Sequence, residues 1–70
     1  MPRTASTTLD EVDIAILEGI SHGLSGETIA HCEHISVDTV KSRIKRIYRL
    51  FGVNARTTAV LHALRTGIIT

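Results

Sequence analysis

The strongest constraint on the fold is the segment 36–53, which reads SVDTVKSRIKRIYRLFGV. Apolar residues recur in it at intervals of four, three and four positions, and at about 100° per residue these positions share one narrow stripe of a helix. The stripe consists of Val40, Ile44, Ile47 and Phe51, with Tyr48 beside it. The segment therefore predicts a helix that packs one side against a core.

The other side of this predicted helix is cationic. Five of the eight Lys and Arg residues of the chain lie within nine consecutive positions. Lys41, Lys45 and Arg49 are spaced by four residues along the exposed side, with Ser42 and Arg46 next to them. A rod of cations of this width fits the major groove of DNA, where basic side chains meet phosphates and guanine edges. Many cationic helix faces are plain solvated surface, so the charge pattern does not decide the function by itself.

The charges of the chain are divided between its two halves. Residues 1–36 carry one basic and six acidic side chains, whereas residues 37–70 carry seven basic side chains and one acidic. The formal net charge of +1 hides this separation. An asymmetry between halves indicates a polyanionic partner more strongly than the net charge does.

The length of 70 residues allows one small domain, whose marginal core would gain from a metal, a disulfide or a partner subunit. A single cysteine, Cys32, excludes an internal disulfide and fits a reducing compartment. No apolar run approaches the length of a membrane span, and the start MPRTASTT lacks the apolar centre of a signal peptide. We therefore expect a cytoplasmic protein with no membrane partner, with residues 1–8 as a flexible arm and residues 9–70 as the folded domain.

Capping residues predict where the first helix begins and ends. Asp10 is a good N-cap, and Asp13 lies three residues later, near the positive end of the helix dipole. Thr8 with Glu11 forms a competing capping box, and Gly23 is a natural C-terminal cap. The inward stripe of this helix should consist of Ile14, Leu17 and Ile20, with Val12 or Ile16.

A short turn separates the second and third predicted helices. Ser25 caps a helix over Gly26–Glu33. Ser36 caps the cationic helix, which runs from Val37 to about Phe51 and ends at Gly52. The inward residues of the second helix should be Ile29, Ala30 and Cys32.

A fourth helix follows directly, and with it the fold class is defined. Asn54 is its predicted N-cap, and the helix should cover Ala55–Thr66 and end at Gly67. No segment alternates in the way a half-buried strand does, so the predicted fold class is all-α with four helices. A short helix, a tight turn and a longer basic helix form the helix-turn-helix plan.

These residues resemble the LuxR/GerE-type helix-turn-helix domain over residues 9–69. The matching residues occur in the order and spacing of the family. They are Leu9-Asp10, Asp13, Gly23-Leu24-Ser25, Ile29-Ala30, Ile35-Ser36, Thr39-Val40-Lys41, Ile47-Tyr48, Gly52-Val53, Arg56, Ala59-Val60, Ala63 and Gly67. The resemblance implies a sequence-specific transcriptional regulator whose third helix reads double-stranded DNA and whose fourth helix forms a homodimer. We expect a free-standing domain of this type, with no sensor domain before Met1.

Three positions depart from the pattern of the family. His34 stands where the turn usually holds a glycine, so it would need a left-handed backbone or a rearranged turn. Glu33 replaces a buried leucine, and Cys32 is expected to take over its packing role. Glu27 replaces a residue that is commonly basic, which should weaken phosphate contact from the second helix.

Side-chain chemistry and the resemblance predict the same DNA contacts. The N-terminal half of a recognition helix penetrates the groove most deeply, so base contacts are predicted for Lys41, Ser42 and Lys45. Lysine donates to guanine O6 and N7, and a serine hydroxyl suits either class of base. Phosphate contacts are predicted along the first turn and the flanks of the helix, for Ser36, Thr39, Arg43, Arg46 and Arg49. For Arg46 and Arg49 the alternative is solvated surface or pairing with the acidic first helix.

The fourth helix carries more apolar surface than its own packing requires. Ala59, Val60 and Ala63 span the arc needed for packing on the first and third helices. Leu61 and Leu64 lie outside this arc, where a two-fold pair of helices would bury them. The predicted dimer interface consists of Thr57, Leu61, Leu64 and Ile68. The alternative is that isolated surface leucines have no function.

Other functions have weaker support in the sequence. The side chains that could ligate a metal are His31, Cys32, Glu33 and His34, but the separated ligand pairs of a structural site are missing, so no metal or cofactor is expected. The sequence shows no phosphate-binding glycine loop and no catalytic triad, so it predicts no enzyme. The alternative function is a protein-interaction module that docks on RNA polymerase or another regulator, because the run TVKSR at residues 39–43 also resembles the recognition helix of sigma-factor region 4.

Overall fold

Short polar turns connect the four helices that the computed structural model shows for residues 9–70, the part of the chain it describes. The helices are α1 (Glu11–Ser21), α2 (Gly26–Glu33), α3 (Val37–Phe51) and α4 (Arg56–Arg65). No strand occurs within this range, so the predicted four-helix all-α fold is confirmed. The predicted flexible arm lies outside the described residues.

A reciprocal cap fixes the start of α1. The Asp10 carboxylate accepts a hydrogen bond from the backbone N–H of Asp13 at 2.9 Å, and the Asp13 carboxylate accepts one from the N–H of Asp10 at 3.1 Å. Two backbone N–H groups at the helix start are thereby satisfied. The predicted N-cap at Asp10 is confirmed, and Thr8 of the competing box lies outside the described residues.

Serine hydroxyls start α2 and α3, as predicted. Ser25 Oγ accepts from the N–H of Thr28 at 3.2 Å, and Ser36 Oγ accepts from the N–H of Thr39 at 3.1 Å. Between the two helices, His34 has φ 59° and ψ 41°, so of the two alternatives for this turn the left-handed backbone is the one present. A side chain with a Cβ adopts this conformation at a cost of about 1–2 kcal/mol. The chain therefore makes the tight turn of the motif without a glycine.

The predicted start of α4 was wrong by one residue. Ala55, not Asn54, is the N-cap, with an extended backbone at φ −144° and ψ 153° and no side-chain capping bond. The first helical hydrogen bond joins the N–H of Ala59 to the carbonyl of Ala55. The helix consequently covers Arg56–Arg65 instead of Ala55–Thr66, and its first turn has no capping hydroxyl or amide.

The core consists of two groups of buried side chains. The first group is Leu9, Leu17, Ile47, Ala63 and Ile69, and the second is Ile16, Ile20, Ile29, Ala30 and Val40. Val60 of α4 packs against both groups and so joins them. Val40 and Ile47 are fully buried at 0% exposure, which confirms the phase of the predicted α3 stripe. The stripe thus holds α3 in place and leaves its cationic side outward.

Cys32 does not face the core, contrary to the prediction. Its side chain is exposed, whereas Ile29 and Ala30 are buried and Glu33 is half-buried. At about 100° per residue, Cys32 lies about 160° from Ala30 around the helix, so it falls outside the stripe through Ile29, Ala30 and Glu33. Cys32 therefore does not take over the packing role of the buried leucine that Glu33 replaces.

Gly19 lets α1 and α2 approach each other closely. A Cβ added at Gly19 would lie only 2.8 Å from Cγ1 of Ile29 on α2. Ile29 is itself buried at 2% exposure. This contact sets the separation between α1 and α2, which is the first helix of the helix-turn-helix unit.

Candidate nucleic-acid interface

The outer side of α3 presents the residues predicted to read bases. Lys41, Ser42 and Lys45 are exposed, and Arg49 continues the same side one turn further on. The opposite side is held by the buried Val40 and Ile47. The structure therefore brings the three predicted base-contacting residues together on one solvent-facing surface, and their contact with DNA stays a prediction.

The first turn of α3 presents two hydroxyl groups beside this surface. Ser36 is exposed and Thr39 is half-buried, and their hydroxyl oxygens lie 2.9 Å apart. Ser36 Oγ is also engaged as the cap of the helix. Hydroxyls and backbone N–H groups at a helix start suit a phosphate oxygen. The two hydroxyls thus lie together at the start of α3, and their contact with a phosphate stays a prediction.

Arg43 and Arg46 lie on the flank of α3 that faces α1, where both form ion pairs. Nη1 of Arg43 donates to the Asp10 carboxylate at 2.8 Å and to Oδ1 of Asp13 at 3.1 Å. Nη2 of Arg46 donates to Oδ2 of Asp13. The pairing with the acidic first helix that the sequence offered as an alternative for Arg46 is thus present, and Arg43 shares it.

Asp13 is the residue that links these contacts, and the sequence analysis did not identify this role. It is the only charged side chain buried among residues 9–70, with 0% exposure. Its oxygens accept from two arginines and from the backbone of Asp10, which satisfies a group that would otherwise be costly to bury. The one available signal in the sequence was spacing. Asp10 and Asp13 are three residues apart, and so are Arg43 and Arg46.

The ion pair between Asp10 and Arg43 changes the pKa of both groups. The hydrogen bond from Arg43 is the main cause that holds the pKa of the Asp10 carboxyl below its ordinary value of 3.8. The hydrogen bonds to Asp10 and then Asp13 raise the pKa of Arg43. Because the pKa of Asp10 is lowered by folding, its stabilising effect is present above pH 3.8 and is lost as the pH falls below that value. The Asp10 side chain is 57% exposed, so solvent screens the pair and the effect on stability is small.

An open cleft lies between the start of α1 and the inner flank of α3. Its lining residues are Asp10, Ser42, Arg43 and Arg46. Two guanidinium groups and one hydroxyl therefore border the same small space. Such a set of donors can bind an anionic oxygen.

A second exposed surface lies on α4 and is apolar. Leu61 and Leu64 are 43% and 44% exposed, and Thr57 is exposed beside them. Ile68 differs from these three because it is half-buried and packs against the first core group. A shallow groove runs along this surface, lined by Ile20, Ser21, Arg56, Thr57, Val60, Leu61 and Leu64. Three of the four predicted dimer residues, Thr57, Leu61 and Leu64, thus border one groove, whereas Ile68 does not line it and is partly covered.

Comparison with known families identifies this arrangement of helices. The family model GerE, which describes the luxR family of bacterial regulatory proteins, matches residues 8–63. The chain belongs to the LuxR family. The resemblance predicted from the sequence is therefore confirmed, and it covers the helix-turn-helix unit together with most of α4.

Named relatives of this LuxR-family chain are regulatory proteins. The transcriptional regulatory protein YdfI of Bacillus subtilis (strain 168) is 42% identical over 64 residues, which cover 91% of this chain and 30% of that protein. The uncharacterized transcriptional regulatory protein YxjL of the same strain is 35% identical over 57 residues, 81% of this chain and 26% of YxjL. The response regulator protein VraR of Staphylococcus aureus (strain Mu3 / ATCC 700698) is 36% identical over 61 residues, 87% of this chain and 29% of VraR. The chain thus spans less than a third of the length of these relatives.

The described part of this LuxR-family chain shows neither a metal-binding cluster nor a membrane-spanning helix. Among residues 9–70, no group of three or more His, Cys, Asp or Glu side chains is arranged to hold a metal ion. Over the same range, no helix has both the length and the apolar character needed to cross a membrane.

Proposed function

We propose that the chain binds double-stranded DNA sequence-specifically through α3 and thereby regulates transcription in the cytoplasm of a bacterium. The observation that carries the proposal is the two-sided character of α3. Val40 and Ile47 are fully buried, while Lys41, Ser42 and Lys45 share the exposed side. Membership of the LuxR family supports the same function. Of the residues on the exposed side, these three contact base edges in the major groove.

Phosphate contacts surround the base-reading surface in this proposal. Ser36 and Thr39 lie at the N-terminal end of α3, and Arg49 lies toward its C-terminal end. Arg43 and Arg46 lie on the flank facing α1, where their guanidinium groups are already held by carboxylates. These residues set the position of α3 on the duplex, whereas the base contacts set the preferred sequence.

The test is selection of bound sites from a random DNA library, followed by gel shifts of the selected site over a range of salt concentrations. We expect weak binding to all DNA at low salt and tight binding to one selected site. The affinity for both should fall as salt rises, because phosphate contacts release counterions. Absence of DNA binding at every salt concentration would instead favour a protein-interaction module on RNA polymerase or another regulator.

The proposal includes a dimer formed through α4. Leu61 and Leu64 are exposed although both are large and apolar, and they border one groove with Thr57. A two-fold pair of α4 helices would bury this surface, because the same patch on two copies is self-complementary. Ile68 contributes only its exposed part. The two recognition helices would then lie about 34 Å apart, one turn of DNA, so the site should be an inverted repeat.

Sedimentation of the chain with a palindromic duplex of the selected sequence tests the dimer. We expect two chains per duplex at saturation. One chain per duplex at saturation would contradict the dimer and would leave the DNA-binding proposal standing.

A further inference from the structure

Asp13 occupies an unusual position for a charged residue in a domain of this size. It lies on α1 with 0% exposure, yet it contacts the recognition helix through two arginines. Oδ1 accepts from Arg43 at 3.1 Å, while Oδ2 accepts from Arg46 and from the backbone N–H of Asp10. Each hydrogen bond to this buried carboxylate comes from a charged guanidinium group or from the backbone N–H of the N-cap residue. Such a set of bonds holds the carboxylate in one position. The two guanidinium groups it holds are therefore defined as well.

The arginines keep donors beyond those that Asp13 and Asp10 occupy. Within the described part of the chain, the side-chain hydrogen bonds of Arg43 all leave from Nη1, and that of Arg46 leaves from Nη2. A guanidinium carries five N–H donors in a planar fork. The side chains of Arg43 and Arg46 are 30% and 44% exposed. Each group is thus anchored at one edge and has donors for a second anion at another.

The cleft between α1 and α3 is the place where such an anion would lie. Arg43 and Arg46 border it together with the hydroxyl-bearing Ser42, which is predicted to contact a base. Asp10 also borders the cleft, but its carboxylate is paired with Arg43 at 2.8 Å. Two arginines and two aspartates leave the cluster nearly neutral. The cluster would therefore bind a phosphate mainly through the positions of its N–H donors and less through its net charge.

We propose that Asp13 is a positioning residue for DNA binding, which holds Arg43 and Arg46 so that both donate to one backbone phosphate in this cleft. The inference rests on the DNA-binding function proposed above. Long arginine side chains lose conformational entropy when they are ordered. With Asp13 in place, that loss occurs on folding and not on binding, which is the general advantage of a preorganised site.

The substitution Asp13→Asn separates positioning from simple charge attraction. Asparagine keeps the size of the side chain and one carbonyl acceptor, but it removes the charge that fixes both arginines. Removal of a negative charge near DNA should by charge alone strengthen binding. We expect the opposite, an affinity for the selected site about tenfold weaker than wild type.

Glu18→Gln is the matched control, because it removes one exposed carboxylate from the same helix α1 without touching an arginine. Its affinity should equal or slightly exceed that of wild type, because it reports the effect of the lost charge alone. Circular dichroism and thermal melting should show that both variants keep the fold. If Asp13→Asn binds the selected site as tightly as wild type or more tightly, the inference is wrong.

A double-mutant cycle distinguishes positioning from a merely structural role. In a background carrying Arg43→Gln and Arg46→Gln, the further change Asp13→Asn should have no effect on DNA affinity. A structural role would instead weaken binding in both backgrounds by the same factor. Equal weakening in the two backgrounds therefore overturns the inference.

A second measurement does not require the Asp13 variant to fold. Duplexes of the selected site, each with a single neutral methylphosphonate, should reveal one phosphate whose neutralisation weakens wild-type binding most, weakens Arg43→Gln and Arg46→Gln less, and does not weaken the variant that carries both substitutions. If the two arginines couple to different phosphates, or to none, the inference fails. If wild type binds no DNA at all, the proposed function itself fails, so the two failures are distinguishable.

Discussion

The helices α3 and α4 both expose a surface, but the two surfaces differ in what defines them. The outer side of α3 is defined by charge, with Lys41, Lys45 and Arg49 in one line. The outer side of α4 is defined by apolar area, with Leu61 and Leu64 more than two-fifths exposed. A charged surface attracts a polyanion at long range, whereas an apolar surface needs a partner that fits closely. The contrast teaches that one small domain can present two surfaces of different chemistry, which the proposed function assigns to DNA and to a second copy of the chain.

The largest expected effect is on the free energy of unfolding, when a charge is placed on the buried side of α3 and compared with a charge on the exposed side of α4. Ile47→Asp places a charge at a position with 0% exposure and should unfold the domain, at a cost of about 4 kcal/mol or more. Leu61→Glu, at a position 43% exposed, should change the free energy of unfolding by less than about 1 kcal/mol. Circular dichroism and urea unfolding measure both. Native helix content in Ile47→Asp would contradict the assigned phase of α3.

The next effect tests the charged surface itself. Lys41→Ala and Lys45→Ala should each cost about 1–3 kcal/mol in binding free energy and alter the preferred sequence, because base contacts are lost. Arg49→Ala should weaken binding to all sequences alike and reduce the salt dependence by about one unit of slope. Gel shifts and repeated site selection provide the measurement. An unchanged sequence and affinity in both lysine variants would show that α3 does not read the DNA.

The apolar surface of α4 is tested by charge in place of a leucine. Leu61→Glu and Leu64→Glu should keep the fold but reduce affinity for the full inverted repeat by about tenfold, because cooperative pairing is lost. Binding to a single half-site is the control, because it requires no pairing of copies. Binding curves on half-sites and full sites therefore separate lost pairing from the effect of an added negative charge. Equal loss on the half-site and the full site would mean that the effect is not one of pairing through α4.

The smallest effect concerns how the two helices begin. Ser36 caps α3 with its hydroxyl, whereas Ala55 at the same position of α4 makes no side-chain cap. Ala55→Ser should therefore stabilise the domain by about 1 kcal/mol, and Ser36→Ala should destabilise it by a similar amount. Urea unfolding of the two variants measures both changes. If the two substitutions shift stability in the same direction, capping is not what distinguishes the helix starts.

Local signals explain why the helices of this fold were predictable. Asp10, Ser25 and Ser36 each stand one residue before a helix and each makes the expected capping bond. Capping depends on a few neighbouring residues, so sequence alone carries it. Ala55 has no capping side chain, so the sequence predicts the cap one residue too early, at Asn54, the nearest residue of a capping type.

Contacts between distant helices explain what the sequence left open or did not predict. The pairs of Asp13 with Arg43 and Arg46 join residues about thirty positions apart, and they depend on how α1 and α3 pack. Spacing along the chain does not fix that packing. Cys32 was misplaced for a related reason, because on the two-turn α2 the position of the buried side depends on the neighbouring helices. The predicted base contacts needed only the phase of α3, and the structure agrees with that phase.

The close contact at Gly19 also bears on which substitutions this sequence can accept. Gly23, Gly52 and Gly67 have open space where a Cβ would project, so at these positions only the positive φ restricts replacement. Gly19 has ordinary helical backbone, but even alanine would place a methyl group 2.8 Å from Ile29. A mutational scan should accordingly find Gly19 intolerant of every other side chain, although alanine is the better helix former there. The tolerance of this position is set by a neighbour on another helix and not by its own backbone.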